Sequence, residues 1–278
     1  MSDNSLGVAF GLAWNPFSAN LPVEGLLASE RVDSFAWRLR HHLLPQGGFA
    51  LVEGEPGSGK SVALRQIALL MGEVDGLAVA ALSHPSARLG DFYRQIGESF
   101  GVLMAVNNRW RGVKDLRERW LEHVDGIRMR PLLLVDEAQE MPSNVLAELR
   151  LLASTEFDSR SVLTVVLAGD NRLKDRMRDP QILPLASRIR HRLVLGPAAP
   201  AELERLLDHL LESAGCPGLL SEGVKAAMCR HAGGNRRALA VIGDMLLAAA
   251  AERGQGRIDE ALFHDVFAGA PKRREARA

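Results

Sequence analysis

Eight consecutive residues, Gly54-Glu55-Pro56-Gly57-Ser58-Gly59-Lys60-Ser61, restrict what this chain can fold into more than any other segment. They fit the pattern G-x-x-x-x-G-K-[ST]. They stand between an apolar run, Phe49–Glu53, that suits a buried strand and a stretch from Lys60 to Met71 that suits a helix. Glycines let the backbone curl so that successive N–H groups point inward at phosphate oxygens, and the new helix adds the positive end of its dipole to the same spot. In that setting Lys60 is expected to reach the β- and γ-phosphates of ATP, and Ser61 to place its hydroxyl on Mg2+.

Around this loop, short apolar runs alternate with amphipathic stretches, the pattern of a parallel sheet covered on both faces. Strands are predicted over Phe49–Glu53, Leu77–Leu82, Pro131–Val135 and Val162–Ala168, with a fifth near Arg190–Leu195. Helices are predicted over Ser29–Leu44, Lys60–Met71, Leu89–Phe100, Val113–Val124 and Ser143–Ala153. Beyond Gly196-Pro197 the strand signal stops, and Ala201–Ala214, Ser221–His231, Arg237–Ala251 and Asp259–Phe267 read as helices. A chain of 278 residues, 47% of them hydrophobic, has room for one substantial core and a smaller one. The expected organisation is an N-terminal arm over 1–28, an α/β core over 29–196, a helical lid over 197–268 and a disordered basic tail over 269–278.

The 34 Lys and Arg balance 34 Asp and Glu, so no global field draws the protein to a polyanion and any such site must be a local patch. Cys216 and Cys229 lack a Cys-x-x-Cys pattern and are expected to be reduced thiols. No basic leader precedes an apolar stretch and no apolar run is long enough to span a bilayer, so a cytoplasmic chain without stable membrane insertion is expected.

Leu132-Leu133-Leu134-Val135 ends in Asp136-Glu137. Adjacent carboxylates at a strand end repel unless a cation or a reaction uses them. Asp136 suits a Mg2+ ligand, direct or through water, and Glu137 suits the group that polarises an attacking water. The strand Val162–Ala168 runs into Gly169-Asp170-Asn171, where Asp170, or failing that Asn171, is placed to orient the lytic water or sense the γ-phosphate; a plain Asp-Asn turn is the alternative. The residues of Ser187–Arg192 suit either a solvated basic turn or an arginine that reaches a neighbouring subunit's γ-phosphate, and Gly233-Gly234-Asn235-Arg236-Arg237 opens a lid helix whose arginines suit either closure onto nucleotide or a plain surface. Two basic clusters, Arg109 to Arg119 around Trp110 and Trp120 and Arg172 to Arg178, suit either DNA phosphates with a stacking tryptophan or solvated helix faces.

In order along the chain, Pro16-Phe17, Gly54–Ser61, Asp136-Glu137-Ala138-Gln139, Leu149-Arg150-Leu151-Leu152, Leu167-Ala168-Gly169, Ala186-Ser187-Arg188-Ile189 and Gly233–Arg237 resemble the ExeA-type branch of the AAA+ ATPases, from about Phe10 to Phe267. That branch is similar to the helper ATPases of bacterial transposons, of the MuB, IstB and TnsC kind. The resemblance implies a P-loop NTPase αβα sandwich with a parallel five-stranded sheet, a small all-helical lid, and homo-oligomeric rings or filaments with ATP at subunit junctions. It also selects Arg188 as the trans-acting finger and Arg237 over Arg236. One departure stands out: secretion ATPases of this type carry Gly-Gln-Pro-Glu-Leu where this chain has Gly169-Asp170-Asn171-Arg172-Leu173. They also continue into membrane and cell-wall modules that do not fit after Phe267. The expectation is therefore a transposition helper that assembles on duplex DNA and recruits a transposase, with an ExeA-like secretion role as the alternative.

Overall fold

In the computed structural model, described over residues 10–27, 29–83, 85, 88–102, 109–155 and 159–268, the chain forms two compact units. Of the described residues, 29–196 make one unit, and 10–27 join 197–268 in the other. Among the described residues no helix is long and apolar enough to cross a membrane.

The first unit contains α1 (Glu30–Arg38), β1 (Gly48–Gly54), α2 (Lys60–Gly72), β2 (Val79–Leu82), α3 (Leu89–Ser99), α4 (Arg109–Ile127) and β3 (Leu132–Val135). There follow α5 (Ser143–Leu152), a two-residue hairpin β4 (Ser154–Thr155) and β5 (Arg160–Ser161), β6 (Thr164–Gly169), α6 (Asn171–Arg176), α7 (Leu183–Ala186) and β7 (Ile189–Leu195). Five strands pair in the order β2-β3-β6-β1-β7, every pairing parallel. This is the parallel sheet that the alternation of strands and helices predicts, in the α/β P-loop NTPase arrangement that the resemblance implies.

The side-chain period of two along each strand divides the core. Phe49 and Leu51, Leu133 and Val135, and Val165 and Leu167 pack with Phe92, Leu116 and Leu146 on one face. Ala50 and Val52, Leu132 and Leu134, and Val166 and Ala168 pack with Phe35, Leu39, Leu64 and Ile67 on the other. Burial on both faces is why the central strands read as unbroken apolar runs rather than as alternation.

Several sequence expectations are corrected in detail. The helix predicted over Ser29–Leu44 keeps α geometry only to Arg38 and then widens into a π turn, with the Leu44 N–H donating to the Leu39 carbonyl at 2.8 Å. The hairpin β4–β5 and the short helices α6 and α7 went unpredicted, being too brief to carry a period. Trp120 is buried edge-on to Phe100, ring centroids 5.2 Å apart, so it belongs to the core and is not a stacking surface for nucleic acid. The Trp110 side chain and the tail 269–278 lie outside the described residues.

The second unit contains α8 (Pro200–Ser213), α9 (Glu222–Ala232), α10 (Arg236–Glu252) and α11 (Glu260–Ala268). Ser221 and Asn235 cap α9 and α10 by accepting from Val224 and Ala238 N–H groups at 3.2 and 3.0 Å. The N-terminal arm is part of this core: Phe10, Leu12 and Phe17 are buried with Leu207, Leu211, Met228 and Leu246. Phe17 fills the space that Gly243 leaves on α10, where a Cβ would stand 2.4 Å from the ring, while Asn15 donates to Asp244 at 3.0 Å. Phe17→Ala is expected to destabilise this unit by about 3 kcal/mol, the usual cost of emptying a phenylalanine site. Urea unfolding followed on the helical signal checks it; an unshifted midpoint would mean that the arm does not anchor the helices.

Candidate nucleotide site

The loop between β1 and α2 curls through two glycines in the left-handed region, Gly57 at φ 82° and Gly59 at φ 97°. Gly54, at its start, has no room for a side chain: a Cβ there would lie 2.4 Å from Ser58 Oγ and 2.6 Å from the Leu195 carbonyl. The Ser58 N–H closes the turn on the Glu55 carbonyl at 3.1 Å. Lys60 is buried, and its ammonium folds back into the loop to donate to the Gly54 carbonyl at 2.9 Å and the Glu55 carbonyl at 3.3 Å. Glu55, Pro56 and Ser61 stay exposed at the mouth.

Strand order brings the other groups to the same edge. β6 lies between β3 and β1, and the register Val135↔Leu167 and Glu53↔Gly169 aligns their C-terminal ends. Asp136 and Glu137 leave β3 there, and Asp170 and Asn171 leave β6. Glu137 is left-handed, φ 51° and ψ 38°, a conformation that costs a non-glycine residue about 1–2 kcal/mol. Its N–H donates to Asp136 Oδ1 at 2.9 Å, and the chain then turns so that Gln139 points back.

Sequence alone assigns no role to Gln139, the last residue of Asp136-Glu137-Ala138-Gln139. It is buried; its Nε2 donates to the Glu137 carboxylate, and its Oε1 accepts from the Asp170 N–H at 3.3 Å. Arg176 in turn donates to the Gln139 carbonyl at 2.6 Å. Gly169 makes this possible, because a Cβ there would stand 2.8 Å from Gln139 Oε1 and 2.6 Å from Leu173 Cδ2. The Ala138-Gln139 pair and the Leu167-Ala168-Gly169 end of β6 are therefore one device, which only their distance in sequence concealed.

Asp170 caps α6, accepting from the Arg172 N–H at 2.9 Å and pairing with the Arg172 guanidinium at 2.9 Å; Arg172 also pairs with Glu140 at 2.8 Å. Burial opposes ionisation of Asp170, but the two Arg172 hydrogen bonds and the charges of Arg172 and Lys60 outweigh it and hold the carboxyl below its usual range. Asn171 instead donates across to the Glu55 carboxylate on the loop. Arg172 and Arg176 of the second basic cluster are thus engaged within the unit.

Arg188 stands elsewhere. It precedes β7, whose first residue Ile189 pairs with Phe49 while its last, Leu195, pairs with Gly54. At about 3.3 Å per residue the strand separates Arg188 from its own loop by roughly 20 Å. Within one chain the structure does not bring Arg188 to the phosphate loop. Arg236, in the other unit, pairs with Glu202 at 3.7 Å, and Arg237 beside it on α10 is exposed.

The oxygens of Ser61 and Asp136 fit Mg2+, which takes one or two protein oxygens and fills the rest of its shell with phosphate and water. Among the described residues no group of three or more His, Cys, Asp or Glu is gathered to hold a metal.

The chain is similar to several known proteins. Residues 44–177 match the family described as AAA domain. General secretion pathway protein A of Aeromonas hydrophila is 32% identical over 251 residues, covering 90% of this chain and 45% of that one, so the chain spans less than half of that relative. The ORC2 protein of Aeropyrum pernix, solved as ADPNP–ADP complexes, superposes with a TM-score of 0.72 at 17% identity over 91% of this chain and 70% of that chain. The ORC1 protein of the same organism in complex with DNA gives 0.61 at 19% identity over 91% and 66%. Residues 44–177 are thus similar to an AAA domain, and they are carried on the α/β P-loop NTPase fold.

Proposed function

We propose that this chain hydrolyses ATP at sites shared between copies of itself. The observation that supports this is the placement of groups on opposite edges of one sheet: Gly54–Ser61, Asp136, Glu137 and Asp170 at the C-terminal edge, Arg188 at the other. In this reading the loop N–H groups and Lys60 bind the phosphates, and Glu137 takes a proton from the attacking water. Gln139 holds the Glu137 carboxylate, and Asp170 or Asn171 senses the γ-phosphate. Ser61 and Asp136 hold Mg2+, whose charge would offset that of the phosphate oxygens. Arg188 completes the site of the next copy, and Arg237 is the arginine assigned to nucleotide from the helical unit.

The output we assign is on duplex DNA: ATP-bound copies assemble on it as a ring or filament and activate a transposase. The similarity of the ExeA-type branch, whose motif order this chain resembles, to transposition helpers supports this, as does the fold shared with a protein solved in complex with DNA. A second reading, ATP-driven assembly of a secretion component without DNA, is supported by the 32% identity to a general secretion pathway protein over 90% of this chain.

Lys60→Ala removes charge-assisted hydrogen bonds worth about 1.5–3 kcal/mol each, so affinity for a fluorescent ATP analogue is expected to fall at least about tenfold. Glu137→Gln should lower turnover by about 10²–10⁴, the range for loss of a general base, while ATP binding persists. Gln139→Leu should lower kcat with KM held; hydrolysis unchanged in both variants rejects the assigned base. ATP-dependent filter retention of duplex DNA, weakening steeply with salt, is expected on the DNA reading. Absence of retention at low salt with ATP present, together with nuclease-resistant co-purification with envelope components, would decide for secretion.

A further inference from the structure

The last turns of α1 and the first residues of β7 build a surface that the nucleotide chemistry leaves unused. Trp37 is 56% exposed, at the centre of this surface. Its ring lies 4.8 Å from that of His41 and 5.3 Å from that of His42, and His42 lies 6.2 Å from His191 on β7. The widened turn after Arg38 sets the spacing, because it places His41 and His42 together beside the tryptophan instead of spreading them around the helix. Arg38 and Arg190 converge on the same spot: burial first, and then the charges of Arg38, His42 and Arg190, push the His191 imidazole below its usual value. Among the described residues no carboxylate pairs with Arg38, His41, His42 or His191.

This patch lies on the edge of the sheet that carries Arg188. The Arg188 carbonyl and Arg190 Nε both approach Gly48, the first residue of β1, to within 3.9 Å of where its Cβ would be. The opposite edge carries Glu55, Asp136, Glu137, Glu140 and Asp170 against Lys60, Arg172 and Arg176, with Arg172 paired to Asp170 and Glu140, and it would also carry the phosphates of a bound nucleotide. One edge is cationic and centred on a half-exposed tryptophan, and the other becomes anionic once nucleotide phosphates offset the positive loop. Surfaces that are complementary but not identical pair head to tail, and head-to-tail pairing generates rings and filaments. Tryptophan and arginine are also the residues on which interface energy concentrates.

We infer that the Trp37–His42–His191 patch is a docking surface for a second copy of this chain, seated against that copy's nucleotide-bearing sheet edge. The inference rests on the shared-site reading above and adds to it the residues that hold the copies together, as distinct from Arg188, which acts on the phosphate.

The test is sedimentation velocity of the full chain with Mg2+ and ATPγS across a concentration series. It compares wild type with Trp37→Ala, His42→Glu and Arg188→Ala, with thermal midpoints confirming that each variant folds. Wild type is expected to assemble. Trp37→Ala and His42→Glu should each need at least about tenfold more protein for half-assembly, as for loss of an interface hot spot. Arg188→Ala should assemble and lose hydrolysis. If the Trp37 and His42 variants assemble like wild type, the docking surface is wrong while the shared site stands. If they assemble normally but lose retention of duplex DNA, the patch is a nucleic-acid surface and the inference is likewise overturned. A wild type that stays monomeric throughout removes the shared-site reading, and the docking surface with it.

Discussion

The buried ammonium of Lys60 donates to two carbonyls of the loop that precedes it, at 2.9 and 3.3 Å, and a desolvated cation so placed is costly unless negative charge is near. Within the unit, the Asp170 carboxylate feels this charge but is committed to Arg172. The loop therefore holds an excess of positive potential, from the ammonium and from the N–H groups at the start of α2, in a concavity shaped by Gly57 and Gly59. On the proposed reading, a polyphosphate supplies the missing countercharge. The geometry depends on Gly54, where any side chain would strike Ser58 and the Leu195 carbonyl, so the tightness of the loop is set by the neighbouring strand β7 as much as by the loop itself.

From that fixed point the rest of the site follows by register. β6 lies between the strand that feeds the loop and the strand that ends in acids, so the groups leaving β6 act on both. Gln139 connects them, one end of its amide on the Glu137 carboxylate and the other on the Asp170 N–H, and the left-handed backbone at Glu137 is what aims it there. Strain at a carboxylate proposed as a base is tolerated because Asp136, Gln139 and Arg176 each hold the turn. Movement of the β6 end would be felt at Glu137 through a single buried side chain.

Much of this could be read from the chain because it is written locally. The loop, the acid pair and the five strands each lie in one short segment, and burial on both faces made the strands visible as apolar runs. What could not be read depends on approach through space. Gln139 and Gly169 sit 30 residues apart in sequence and meet only when β3 pairs with β6. Trp120, among arginines, looked like a surface residue until Phe100 packed on it. Phe17 and its partner, a glycine on α10, are remote in sequence and meet only in the folded unit. Nothing in the sequence around His41-His42 shows that a widened helical turn sets both beside Trp37, with His42 also next to His191.

On the proposed reading, the separation of chemistry from assembly is a consequence of the parallel sheet. All five strands point the same way, so groups that leave their C-terminal ends form one edge and groups that precede them form the other. An arginine ahead of β7 is carried to the far edge by the length of that strand, and no rearrangement of loops returns it to its own phosphate site. Such a unit is incomplete alone and is complete only in series. Residues flanking that arginine, Arg190 and His191 on the strand and Trp37 and His42 on α1, are then the ones whose packing sets the angle at which copies follow one another. That angle decides between closure and an open helix, so these side chains tune the form of the assembly without touching the atoms that react.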